Sequence, residues 1–278
     1  MVEKIPLTYQ EALELLDNDE FTIIAGGTDL MVQKRGWGSS LPDFTTNTLF
    51  IKHIKELDYI IKDKHYIKVG ALTTLTSLLE NEHIPSIYKD ALFEMASVGI
   101  RNEATIAGNI ENASPAGDSL PVLYSLDAVV VLESVNGIRE IPIIEYITGV
   151  RRTVRHSNEL IKEVKIPFTR YTHKKWVKVG GRRADAISKI SFVGLAEIEN
   201  GTVLDLRISF GAVSPIVIRK RSFELQYIGM TVAELKEQSI MLTQLYNDLI
   251  NPIDDQRSNK EYRRLVSLNI LKDFIGEL

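Results

Sequence analysis

The sequence predicts an α+β protein built of two or three compact units. Three observations carry that prediction. The chain has 278 residues, more than one small core would need. Its last third places strands before helices, the order of a sheet covered by helices. Two Asn-Gly pairs, Asn136-Gly137 and Asn200-Gly201, sit between apolar runs and signal β-hairpins.

The elements follow in order. Thr8-x-x-Glu11 reads as a capping box that opens a helix with Ala12, Leu13, Leu15 and Leu16 on its apolar face. Residues 21–24 form a short buried strand, and 29–34 a helix ending near Gly36. The pattern changes near residue 48. Strands are expected at 49–51, 59–62 and 66–69, and helices at 75–81, 88–97 and 119–126. Residues 128–135 and 138–144 flank the first hairpin turn, and 160–166 is a strand ended by Pro167. A third section begins near Tyr171, with strands at 176–179, 190–197 and 202–210. Helices then run at 231–237, 241–250 and 261–274. The expected division is a first domain at 1–170, with subdomains of about 1–55 and 56–170, and a second at 171–278.

Composition narrows the function. Hydrophobic residues make up 44% and charged residues 25%, which suits a soluble globular chain. The formal charge of −4 disfavours a nucleic-acid-coating protein. The absence of cysteine excludes disulfides, thiolate zinc sites, a Cys nucleophile and any iron–sulfur cluster held by this chain. The five histidines are scattered and suggest no metal site. The N-terminus has no apolar signal core, and no run approaches the roughly 18 apolar residues of a membrane span. A cytoplasmic protein with no membrane span is the expectation.

Two glycine-rich segments carry the chemistry. Ala25-Gly26-Gly27-Thr28-Asp29-Leu30 follows the strand at 21–24 and opens a helix. Ala104-Thr105-Ile106-Ala107-Gly108-Asn109 runs on into Asn112-Ala113-Ser114-Pro115-Ala116-Gly117-Asp118. Each puts small residues and a Thr after an apolar stretch, where backbone N–H groups can be laid bare. Such a pair can grip one diphosphate from two sides. Taken singly, either motif is equally a tight turn with no ligand. No Gly-Lys-Ser/Thr follows, which excludes a Walker A loop, and no G-x-G-x-x-G stands in a βαβ unit. Thr28 offers a hydroxyl, and Asn109 an amide on a residue that tolerates left-handed backbone. Asp118 reads as a helix cap or as an acceptor for sugar hydroxyls. Arg101 reads as a loop pin, Lys178 as a solvent-facing strand residue, Trp176 as core or as a ring-stacking surface, and Arg182-Arg183 as a solvated turn.

Together, the two motifs resemble those of the FAD-binding subunit of the molybdenum hydroxylases, the xanthine dehydrogenase and carbon monoxide dehydrogenase family. The family pattern is A-G-G-T-D-L, then I-R-N-x-A-T-I-G-G-N-I-A-N-A-S-P-A-G-D. Ile100 to Asp118 follows the second part except at Ala107, in place of a glycine, and Glu111, in place of a small residue. Gly70-Ala71-Leu72-Thr73-Thr74, Glu159-Leu160-Ile161 with Ile166-Pro167, Lys178-Val179-x-x-Arg182 and Arg257-x-x-x-x-Tyr262-Arg263 extend the likeness over nearly the whole chain.

The resemblance implies a two-subdomain FAD-binding domain of the molybdopterin dehydrogenase type, followed by a smaller α+β domain. It implies FAD, held at Ile24 and from Ala25 to Leu30 on the diphosphate and adenosine side. Thr105, Gly108 and Asn109 would close on the diphosphate. Ala96, Asn112, Gly117 and Asp118 would lie along the flavin and its sugar-like chain, Leu160 and Ile161 would form an apolar wall, and Lys178 would lie near the isoalloxazine. The ring-stacking aromatic of some relatives falls at Met95. The resemblance also implies an iron–sulfur partner chain delivering electrons, a larger molybdopterin-binding subunit, and NAD⁺ as acceptor. No catalytic side chain is implied. Two alternatives stay open on the residues alone: a stand-alone FAD-dependent oxidase or dehydrogenase, and a scaffold that has lost FAD.

Overall fold

The structure is a computed structural model and describes residues 2–36, 38 and 42–278. The chain packs into two compact units that interleave along the sequence. The first comprises residues 1–84, 96–113 and 128–167, and the second 85–95, 114–127 and 168–278. Two short segments, 85–95 and 114–127, therefore pack with the C-terminal part of the chain.

The first unit holds two sheets. A three-stranded parallel sheet orders Glu3–Lys4, Asn47–Phe50 and Phe21–Ile24. Thr8 caps the helix Tyr9–Asn18 by accepting from the Glu11 N–H at 3.2 Å, while the Glu11 carboxylate accepts from the Leu7 N–H. Ala12, Leu13 and Leu16 on that helix are buried. The expected strand at 21–24 forms as read, and the helix after the first motif is one turn, Leu30–Gln33.

A five-stranded antiparallel sheet orders Ile60–Lys62, Tyr66–Gly70, Leu160–Pro167, Val129–Ser134 and Gly137–Pro142. Its first hairpin differs from the expectation by one residue. Ser134 pairs with Gly137, so Val135 and Asn136 make the turn and Gly137 (φ +136°) begins the returning strand. Val130, Val131 and Leu132 are all buried.

The second unit is built on a four-stranded antiparallel sheet ordered His173–Val179, Ile190–Glu199, Thr202–Gly211 and Ile218–Arg219. Here the Asn200-Gly201 turn is as read. Both residues have positive φ, +50° and +77°, and Glu199 pairs with Thr202. That is the backbone a two-residue turn between right-twisted strands needs. Helices Val232–Glu237, Ser239–Leu249 and Lys260–Glu277 belong to the same unit. Its core joins Phe192, Phe210, Tyr246 and Phe274 with ring centroids 5.0 to 5.8 Å apart. The helix Ser119–Ser125 is buried at all seven residues.

The stretch around the second motif holds two helices that periodicity did not reveal, Val98–Glu103 and Ile106–Asn112. Ser97 and Thr105 cap them, each hydroxyl accepting from a backbone N–H three residues on, at 3.3 Å and 3.1 Å. Both helices are too short to show a full apolar stripe.

Candidate functional site

A cleft of about 420 Å³ opens within the first unit, a volume that suits a small-molecule site. Both glycine motifs line it, Ala25 to Leu30 on one side and Thr105, Gly108, Asn109 and Asn112 on the other.

Glycine does two different jobs in the first motif. A Cβ on Gly26 would overlap the backbone carbonyl of Glu103, just before the second motif. Gly26 therefore lets the two motifs touch backbone to backbone. Gly27 sits at φ +65°, a conformation costly for a residue with a side chain. The loop it turns leaves a row of donors: the N–H groups of Gly26, Gly27, Thr28, Asp29 and Leu30 have no acceptor among the described residues. Successive free N–H groups of this kind form an anion-binding concavity.

The second motif contributes differently. Most of its backbone donors are spent within the chain; of Ala104 to Asn109, Thr105 N–H has no acceptor among the described residues. Ile106 N–H donates to Thr73 O, Ala107 N–H to Ala71 O and Asn109 N–H to Thr105 O, while Gly108 N–H donates to the Thr105 hydroxyl. Bare N–H groups therefore run through the first motif, and in the second remain at Thr105. The second motif lines the cleft with Ala104, Thr105, Ala107, Gly108, Asn109 and Asn112. Leu160 and Ile161, both buried, add an apolar wall.

Charged groups line the same cleft. Gln33 Nε2 donates to Asp29 Oδ2 (2.5 Å) and Asn112 Oδ1 (3.0 Å), tying the first motif to the second. Arg151 Nη1 lies 3.2 Å from that same Asn112 oxygen and 3.5 Å from Asp29 Oδ2. Glu111 accepts from Tyr146 OH (2.5 Å) and Arg155 Nε (2.8 Å). Burial, then the Glu111 carboxylate beside it, pushes the Tyr146 phenol up, so it stays a donor. Arg155 Nη1 also donates to His156 O and Glu159 O, fixing the turn that leads into Leu160. Gln33, Arg151 and Arg155 were not among the residues expected from sequence. An isolated Arg or Gln gives no signal until the fold brings it to the cleft.

The remaining expected site residues do not line this cleft. Ile24 is buried beneath it, with its Cγ2 3.6 Å from where a Gly27 Cβ would stand. Ala96 lies in the first unit at φ +53°, its carbonyl accepting from Arg101 Nη1 at 2.7 Å, so Arg101 pins a loop as read. Gly117, Asp118 and Lys178 belong to the second unit. There the Lys178 ammonium donates to Asp118 Oδ2 and to Glu94 O, each at 2.8 Å, and Ser188 Oγ donates to Asp118 Oδ1 at 2.5 Å. Lys178 is thus a buried partner and not the solvent-facing strand residue its neighbours suggest. Asp118 precedes the helix Ser119–Ser125 without capping it. Burial pushes the Asp118 carboxyl up, opposed by the Lys178 charge and its hydrogen bond. Trp176 Nε1 donates to Glu94 Oε2 at 2.9 Å.

These residues fit a dinucleotide. Unpaired backbone N–H groups suit phosphate oxygens, the Leu160–Ile161 wall suits an aromatic or apolar face, and two arginines line a cleft into which a diphosphate would bring negative charge. The fold and cleft define a two-unit α+β dinucleotide-binding protein.

The comparisons make the class specific. The model of the FAD-binding domain in molybdopterin dehydrogenase matches residues 4–169, and that of the CO dehydrogenase flavoprotein C-terminal domain matches 175–278. The chain belongs to the FAD-binding medium subunits of the molybdenum hydroxylases. It is 29% identical over 265 residues to the glyceraldehyde dehydrogenase medium chain of Sulfolobus acidocaldarius, covering 92% of this chain and 90% of that one. It is 36% identical over 198 residues to the nicotinate dehydrogenase FAD-subunit of Eubacterium barkeri, covering 66% and 64%. Its fold matches a chain in the structure of carbon monoxide dehydrogenase from Hydrogenophaga pseudoflava with a TM-score of 0.87, at 22% identity, over 98% of this chain and 95% of that one. FAD is the cofactor, and the chain is an oxidoreductase flavoprotein subunit. Among the described residues no helix is long and apolar enough to cross a membrane.

Proposed function

We propose that this chain is the FAD-carrying electron-transfer subunit of a cytoplasmic, xanthine dehydrogenase-like complex. It takes electrons from an iron–sulfur partner chain and passes them to NAD⁺, while a molybdopterin-binding subunit oxidises the substrate. The observation that carries the reading is the convergence of both glycine motifs on one cleft. In this reading residues 1–170 bind the cofactor and 171–278 form the C-terminal domain. The names of the relatives support leaving the substrate to a partner, since they point to glyceraldehyde, nicotinate and carbon monoxide on similar flavin subunits.

FAD, once bound, supplies the exchange between one-electron and two-electron transfer. The chain's own residues bind and orient it. The N–H groups from Gly26 to Leu30 hold the diphosphate. Gly108 keeps the facing wall low, Asn109 and Asn112 offer amides, and Leu160 with Ile161 excludes water. No side chain needs to act as nucleophile or general base.

An anaerobic titration of the FAD-loaded chain with NADH tests the acceptor. Bleaching of the flavin bands to completion is expected, and flavin that stays oxidised contradicts NAD⁺ as acceptor. Purification from the native source, with iron and molybdenum analysis, tests the partners. A chain that purifies alone and turns over small heterocycles unaided would favour the stand-alone oxidase.

A further inference from the structure

The short connection between strands Ile147–Gly149 and Arg152–Thr153 is two residues, Val150 and Arg151. Arg151 stands at φ +55°, a backbone region that glycine enters freely and an L side chain enters at a cost. Its N–H donates to the carbonyl of Ala113 at 3.0 Å, and Ala113 is itself left-handed at φ +44°. Two strained non-glycine residues are thus bonded to one another, and Arg151 lines the cofactor cleft. A glycine would make this turn more easily, so the arginine's use is to be sought in its side chain.

That side chain is only loosely held. Its contacts within the chain are Asn112 Oδ1 at 3.2 Å and Asp29 Oδ2 at 3.5 Å, both through Nη1. Nε and Nη2 have no acceptor among the described residues. Both acceptors are shared with Gln33, whose bonds to them are shorter. Gln33 therefore keeps Asp29 and Asn112 in place when Arg151 lets go. Arg155 lines the same cleft, but Glu111, His156 and Glu159 hold it through Nε and Nη1.

We propose that Arg151 is a binding residue for the diphosphate of the dinucleotide, held at rest against Asp29 and Asn112 and free to turn its guanidinium onto a phosphate oxygen. The proposal rests on the reading of this cleft as the FAD site. It sets a side-chain cation beside the backbone N–H groups and the Thr28 hydroxyl of the first motif. A guanidinium presents paired donors that match phosphate geometry.

The R151G variant separates binding from folding, because glycine relieves the left-handed turn while it removes the cation. FAD affinity is measured by flavin fluorescence on the full chain, with ADP and adenosine as competing probes. R151G is expected to unfold without cofactor at the same temperature as wild type or higher. Its affinity for FAD and ADP is expected to fall about ten- to a hundredfold at low salt, with the gap narrowing at high salt as the charge is screened. Adenosine, which lacks phosphate, competes equally with both proteins. R151K, which keeps the charge without the fork, falls between them and keeps the salt dependence. The proposal is overturned if R151G binds FAD within about twofold of wild type. It is also overturned if the loss is the same at every salt concentration, or if adenosine is weakened as much as ADP. A wild-type chain that binds no FAD would instead overturn the reading of the cleft itself.

Discussion

Gly26 and Gly108 are both motif glycines, yet the structure assigns them opposite consequences. An alanine at 26 would drive its methyl into the Glu103 carbonyl, with the Glu103 carbonyl carbon 2.7 Å and Ala104 Cα 3.1 Å away. Every nearby atom is backbone, so nothing can swing aside and the two motifs must part. Overpacking of this kind costs about 1–3 kcal/mol, and a rigid neighbour places G26A at the upper end. That is a large share of a domain's total of about 5–15 kcal/mol. At Gly108 a Cβ would meet only the Thr105 hydroxyl, at 3.0 Å. The gain of about 1 kcal/mol for alanine over glycine inside a helix offsets that contact. G108A should therefore keep its stability, but its methyl would project into the cleft and weaken FAD binding. Thermal unfolding of the cofactor-free chain, paired with FAD titration, reads both. G26A should lose several degrees and G108A should lose affinity alone. A G26A protein as stable as wild type would refute the backbone contact between the motifs, and with it the account of how the cleft is built.

Other predictions test separate parts of the structure. In the Glu159 carboxyl, burial pushes the pKa up, but hydrogen bonds from Arg139 and the His156 N–H outweigh it and hold the group below its ordinary value. Its contribution is therefore present above about pH 4.3 and lost as pH falls through the lowered native value. Urea unfolding of wild type and E159Q between pH 6 and pH 3 should show the gap closing in acid, and a gap independent of pH would contradict this. K178M strands the Asp118 carboxylate among buried groups and should cost about 3–5 kcal/mol, read by chemical denaturation. A loss below about 1 kcal/mol would mean that water reaches the pair. G201A forces a side chain onto φ +77° and should lose about 1 kcal/mol, whereas N200G should change little. Equal losses for the two would argue against the turn geometry.

Much of the first motif's chemistry was legible, because strand, glycines and helix are contiguous in sequence and local rules suffice. The Asn200-Gly201 hairpin was legible for the same reason. The second motif was harder. The helices Val98–Glu103 and Ile106–Asn112 are short, and their caps, Ser97 and Thr105, are common residues. That the Ile106 and Ala107 N–H groups are spent on Thr73 and Ala71 depends on a contact made through the fold. Lys178 shows the same limit. Alternation along a strand suggests an exposed lysine, but its carboxylate partner lies 60 positions away in sequence. Arg151 was invisible for a further reason: positive φ at a non-glycine residue has no sequence signature. The first hairpin turns at Val135-Asn136, one residue before Asn136-Gly137, and no local feature of the sequence marks that shift.

The central claim is that two distant glycine loops share one cleft and hold one flavin dinucleotide there. Equilibrium titration of the cofactor-free chain with FAD, for wild type and for G108A, tests it most directly. The account predicts saturation at one FAD per chain, displacement by ADP, and a weaker G108A that remains fully folded. No saturable binding by the folded wild-type chain, or a G108A that binds as tightly as wild type, would contradict it.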